Sequence, residues 1–133
     1  MYWKGNFNNQ NTYIMHKLID LKIWHKAIDL ATQVYSATAH FPREEMYGLT
    51  AQIRRSAVSV PSNIAEGAGR NTNADFKNFL SIANGSSYEL QTQIIIAQNL
   101  ELINIEKAAV LLNDLDDLQK MNYRLQQSLL TKK

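Results

Sequence analysis

Cysteine is absent from the 133 residues. That excludes a disulfide framework, a thiol nucleophile and any Cys-ligated zinc or iron–sulfur site. It is compatible with a reducing compartment. Only 2 prolines and 5 glycines are present, so few positions can interrupt a helix. No run approaches the ~18 consecutive apolar residues that span a bilayer, so no membrane partner is expected. A strong charge of one sign is missing too: the formal net charge is +2. What remains is 45% apolar and 20% charged residues, the mixture of a globular chain with enough length for one buried core.

The N-terminal stretch offers little to bury. Asn6, Asn8, Asn9, Gln10 and Asn11 are polar, and no apolar run follows Lys4, so this is not a secretory signal. Residues 1–19 are expected to form a disordered polar tail, and residues 20–131 the folded domain, in the cytoplasm. Met15 stands just before the first regular pattern and is an alternative start to Met1.

Four helical segments follow, and no strand has a comparable claim. In the first, about Leu21 to His40, Asp20 is the expected N-cap. Ile23, Ala27, Leu30, Val34, Ala37 and Phe41 form a seam at alternating spacings of four and three. Trp24, Ile28, Ala31 and Tyr35 add a second stripe, which suits contact with more than one neighbour. Phe41-Pro42 separates the first helix from the second, with Pro42 in the second helix's first turn and Glu44 and Glu45 near its positive end. The second seam is Met46, Leu49, Ile53, Ala57, Val60 and Ile64. Pro61 falls inside it and is expected to kink the helix, while Gly67 and Gly69 stop it.

Thr72 followed by Asp75 marks the start of the third helix. Its expected seam is Phe76, Phe79, Ala83, Ser86, Leu90, Ile94 and Ala97. Gly85 in its middle suggests close approach of a neighbouring backbone. Asn104 caps the fourth helix, whose expected seam is Ile105, Ala108, Leu112, Leu115, Leu118, Asn122, Leu125 and Leu129. Connections of roughly 2 to 6 residues make sequential helices antiparallel. The expected fold is all-α, an up-down-up-down antiparallel four-helix bundle.

The bundle carries no recognisable catalytic constellation. A di-iron site needs Glu-x-x-His on two helices. Here the residues three before His16, His25 and His40 are Tyr13, Lys22 and Ala37. There is no Gly-x-Ser-x-Gly elbow. Gly67-Ala68-Gly69-Arg70 lacks the Lys-Ser/Thr and preceding strand of a phosphate loop. No enzyme, metal or cofactor is expected.

Two polar sets stand out. Ser59, Ser62, Asn63 and Glu66 on the second helix could meet Ser86, Glu89 and Gln93 on the third as a buried layer around Pro61. Such a layer would fix helix register, or else contact a ligand. Its Ser and Asn side chains could also serve the carbonyl that the proline leaves unbonded. The second set is cationic. Residues 1–70 hold 8 Lys/Arg against 5 Asp/Glu, and residues 71–133 hold 6 against 7. Lys22, Lys26, Arg54, Arg55, Arg70 and Lys77 are the candidates for phosphate contact; a solvated face crossed by ion pairs is the alternative.

The run Leu21-Lys22-Ile23-Trp24-His25-Lys26-Ala27, then Val34-Tyr35, Phe41-Pro42-Arg43-Glu44-Glu45 and Tyr47-Gly48-Leu49, resembles the four-helix-bundle family of 23S rRNA-intervening-sequence proteins. So do the stretch from Gln52 to Gly67, which contains Arg54-Arg55 and Pro61-Ser62-Asn63-Ile64-Ala65-Glu66-Gly67, and the stretch Gly85-Ser86-Ser87-Tyr88-Glu89-Leu90. The resemblance covers residues 16–128. It implies a homo-oligomer, a ring-shaped pentamer of bundles, and a nucleic-acid context. The accessory variability determinant of diversity-generating retroelements, a related branch, binds nucleic acid and a reverse transcriptase. RNA, DNA and a reverse transcriptase are therefore the partners the resemblance suggests. The family pattern names no catalytic residue, and the +2 charge is well below that of the retroelement branch.

Overall fold

The computed structural model describes residues 18–131. Residues 1–17 of the expected tail, with both candidate start residues, lie outside the described residues. Leu18 and Ile19, at the tail's inner edge, are helical, and Leu18 packs against the core.

Four α-helices follow: α1 Lys22–Thr38, α2 Leu49–Ala68, α3 Asn73–Asn99 and α4 Ile105–Thr131. Each packs on its chain neighbours, α1 also packs on α4, and the two diagonal pairs do not meet. This is the closed ring of an up-down-up-down bundle. The 27 residues of α3 and of α4 correspond to about 40 Å at 1.5 Å per residue.

The seams mostly fall where apolar spacing puts them. Ile23, Ala27, Leu30 and Val34 of α1 are buried, as are Ile53, Ala57, Val60 and Ile64 of α2. On α3 the buried row is Phe76, Leu80, Ala83, Ser87, Leu90, Ile94 and Ala97. Leu80 and Ser87 replace the expected Phe79 and Ser86, because a seam alternating strictly by four and three from Phe76 reaches them. On α4 Leu111 is buried where Leu112 was expected, and Ile105 is 64% exposed.

Helix boundaries differ in instructive ways. Asp20 is not the cap of α1; Leu21 holds that position, without a side-chain bond. Pro42 opens a 3-10 turn, Arg43–Glu45, and α2 begins only after Gly48. The first connection therefore runs over residues 39–48, longer than expected, and Met46 is exposed. Thr72 and Asn104 do cap: Asp75 N–H donates to Thr72 Oγ1 (3.1 Å) and Lys107 N–H to Asn104 Oδ1 (2.7 Å).

The glycines exchange roles. Gly85 was expected at a close helix approach, yet a Cβ there would meet nothing within 4 Å. The close approach is at Gly67, where a Cβ would lie 2.7 Å from Phe79 Cβ and 3.2 Å from the Phe76 carbonyl oxygen. Gly67 lies within α2, so the helix does not stop there. Missing a side chain is what lets α2 and α3 come together at this level. Pro61 is buried inside α2, which runs through it unbroken.

Candidate nucleic-acid interface

Antiparallel order decides which cations can act together. The α1 start, the α2–α3 connection and the α4 end share one end of the bundle. Lys22, in the first turn of α1, Arg70, in the α2–α3 connection, and Lys77, in the second turn of α3, are at or near this end. Arg54 and Arg55 lie near the opposite end, on the second turn of α2. Arg54 and Arg70 are sixteen residues apart in sequence, roughly 24 Å at the helical rise. The six candidate cations therefore do not form one patch.

Their local bonds separate them further. Arg54 is a clamp between α1 and α2: its Nε donates to Thr38 Oγ1 (2.9 Å), its Nη2 donates to the Tyr35 carbonyl (3.3 Å), and its guanidinium lies 4.5 Å from the Tyr35 ring centre. Thr38 is buried and completes the unit by donating to Val34 O at 2.8 Å. Lys26 ties α1 to α4 through Asp114 (3.4 Å) and Asp117 (3.9 Å). Arg70 pairs with Glu66 (2.8 Å) and covers the Phe79 ring at 4.8 Å. Lys22, Arg55 and Lys77 have no carboxylate partner among the described residues. Arg124 on α4, outside the six candidates, likewise has no carboxylate partner among the described residues.

The polar layer is smaller than expected. Ser59 Oγ and Ser86 Oγ lie 2.8 Å apart across α2 and α3, and Asn63 Nδ2 donates to the Ser59 carbonyl (2.9 Å) and Oγ (3.0 Å). These three form the layer. Ser62, Glu66 and Glu89 are exposed and take no part in it, because they point outward from the seam. Gln93 is buried, with its Oε1 unpartnered. Asn63 does not serve the carbonyl freed by Pro61, which is that of Ala57 four residues back.

A second polar seam joins α3 and α4, of which the sequence reading places only Asn122. Gln119 Nε2 donates to Gln91 Oε1 (3.0 Å) and Ser87 Oγ (3.3 Å). The buried Asn122 donates to the Leu80 carbonyl at 3.0 Å, and Ser81 donates to Gln126 Oε1 at 3.3 Å. The signal was present in the sequence: Gln119, Asn122 and Gln126 recur at spacings of three and four, which puts amides on one face. Among the described residues, no cluster of His, Asp or Glu could hold a metal ion, and no helix is long and apolar enough to cross a membrane.

Comparison with known proteins places this architecture. The model of the family described as 23S rRNA-intervening sequence protein matches residues 19–124. The chain belongs to that family. A solved structure supports the fold: a Bacteroides thetaiotaomicron VPI-5482 protein of unknown function from the S23 ribosomal protein family, with a crystal structure at 1.70 Å resolution. It superposes with a TM-score of 0.74 at 24% identity, covering 79% of this chain and 98% of the other. No curated protein matches the chain. The segment matched as an intervening-sequence protein includes five of the six candidate cations at positions up to Arg70, and Lys77 completes the set within it.

Proposed function

We propose that this intervening-sequence protein is a non-enzymatic homo-oligomer that meets RNA through the cationic end of its bundle. The observation that carries the reading is the placement of Lys22 and Lys77 at or near one end, both without carboxylate partners among the described residues, with Arg70 at the same end. Unpaired ammonium groups displace counterions from a phosphate chain without first breaking an internal ion pair. The α4 end supplies Arg124, and the sequence continues beyond Thr131 into Lys132 and Lys133. A ring of five copies would multiply this end around one axis. DNA in place of RNA and a reverse transcriptase as protein partner are finer forms of the same reading. They are supported by the retroelement branch of the resemblance.

One feature favours a protein–protein scaffold as the alternative. The exposed row Ile82, Gly85, Glu89, Thr92 and Ile96 runs along α3 at spacings of three and four and contains one charge. Depletion of charge marks the centres of protein interfaces. The same row is a candidate contact between copies, so it serves the leading reading as well.

The deciding experiment compares two charge reversals in RNA titrations at low salt. Lys22→Glu with Lys77→Glu should remove binding, while Arg55→Glu at the other end should leave it intact. Equal loss from both changes, or loss from Arg55→Glu alone, would overturn the assignment of the end. No binding by the unaltered protein would leave the scaffold reading.

A further inference from the structure

The α3–α4 face carries a groove of about 430 Å³ that shares only Arg124 with the basic end. Its lining is Tyr88 on α3 with Asp116, Gln119, Lys120, Tyr123 and Arg124 on α4. Tyr88 is 53% exposed and Tyr123 65% exposed, a large aromatic area left in water on one groove. Neither ring contacts another ring or a cation, and neither hydroxyl has a partner in the chain among the described residues. Stability therefore does not explain them: removing either would open no core space.

We propose that this groove is a stacking site for an unpaired base of single-stranded nucleic acid. The proposal rests on the nucleic-acid reading above and names the surface that would recognise bases. Four features point to that occupant. Open tyrosine faces accept any base by stacking, and this contact contributes most when water is displaced from both planes. Arg124, without a carboxylate partner among the described residues, stands on the same wall as Tyr123, one position on, where a strand's phosphate would pass. Asp116 is engaged by Lys120 at 3.0 Å, so its charge is locally balanced. The floor is polar: Gln119 spends its amide N–H groups on Gln91 and Ser87 and keeps its Oε1 carbonyl to accept from a base edge. The hydrogen bonds of the Gln119 amide fix the floor, so the groove is pre-shaped rather than assembled on binding. A duplex would not fit this description, since its bases are already stacked on one another.

The test uses the full chain and two single-stranded probes of equal length, an oligoadenylate and an abasic strand with the same phosphates. Tyr88→Ala and Tyr123→Ala should each weaken oligoadenylate binding by about tenfold or more and leave the abasic strand unaffected, because base–aromatic stacking acts on the base alone. The salt slope should stay unchanged in both, whereas Arg124→Gln should lower it by about 0.7, the single-strand value for one phosphate contact. Both tyrosines are exposed, so the variants should melt as the parent does. Unchanged oligoadenylate affinity in both variants, with the parent binding, overturns this site and leaves the basic end standing. No binding by the parent overturns both. A change of oligomer size in light scattering, with strand affinity unchanged, assigns the groove to a protein contact instead.

Discussion

Two glycines show how a single missing side chain can have opposite consequences. Gly85 lies mid-helix on the exposed side of α3, and a Cβ there meets nothing. Gly85→Ala should therefore raise stability by roughly 0.5–1 kcal/mol, the helix-propensity difference. Gly67→Ala should lower it by about 1–3 kcal/mol despite the same propensity gain, because the new methyl runs into Phe79 Cβ and the Phe76 backbone, neither of which can rotate away. Urea denaturation of the two variants measures the difference, and equal shifts of one sign would refute the packing argument. Composition alone could not separate these residues. Periodicity located both within or beside helices, but only the level at which α2 crosses α3 decides which one is enclosed.

At the scale of the element, the ends of helices were harder to place than their middles. The spacing of Ile53, Ala57, Val60 and Ile64 carries the α2 core through Pro61, and the structure agrees. The starts and stops depend on backbone conformations that apolar spacing does not encode, so Asp20 and Pro42 were assigned one element too generously. The α3 end shows the point. Leu102 N–H donates to the Ala97 carbonyl (2.9 Å) and Glu101 N–H to that of Gln98 (3.0 Å), a Schellman closure. Its left-handed position is Glu101, at φ 60°, where glycine is usual. Glu101→Gly should raise the thermal midpoint, with a gain of about 1 kcal/mol from relieving the left-handed conformation. A lowered midpoint would show that the glutamate side chain makes a contribution of its own. Asn104→Ala, by contrast, removes a formed cap and should lower stability by about 1 kcal/mol in the same assay.

For the whole molecule, the bundle class was legible because four apolar seams separated by polar punctuation admit few other arrangements. The candidate site was only half legible. A sum of charges along the chain does not say which end of an antiparallel bundle each cation occupies, and so Arg54, a clamp on Tyr35 and Thr38, was grouped with Lys22 and Lys77. Of the α3–α4 amides, Asn122 stands in the expected seam and is buried there, whereas Gln119 and Gln126 are missed, since a polar residue beside the seam is easily taken for surface. The charge-poor row on α3 is the contact proposed between copies. Light scattering at micromolar concentration should find an oligomer, and Ile82→Lys with Ile96→Lys should reduce it toward monomer. A monomeric parent protein would remove the ring from the account.

The central claim is that nucleic acid is held electrostatically by unpaired cations. Its most direct measure is the salt dependence of single-stranded RNA affinity. With Lys22, Lys77 and Arg124 each meeting one phosphate, log K should fall against log salt with a slope of about −2 per bundle, at ~0.7 per contact. A flat dependence, or no binding at low salt, would contradict the claim.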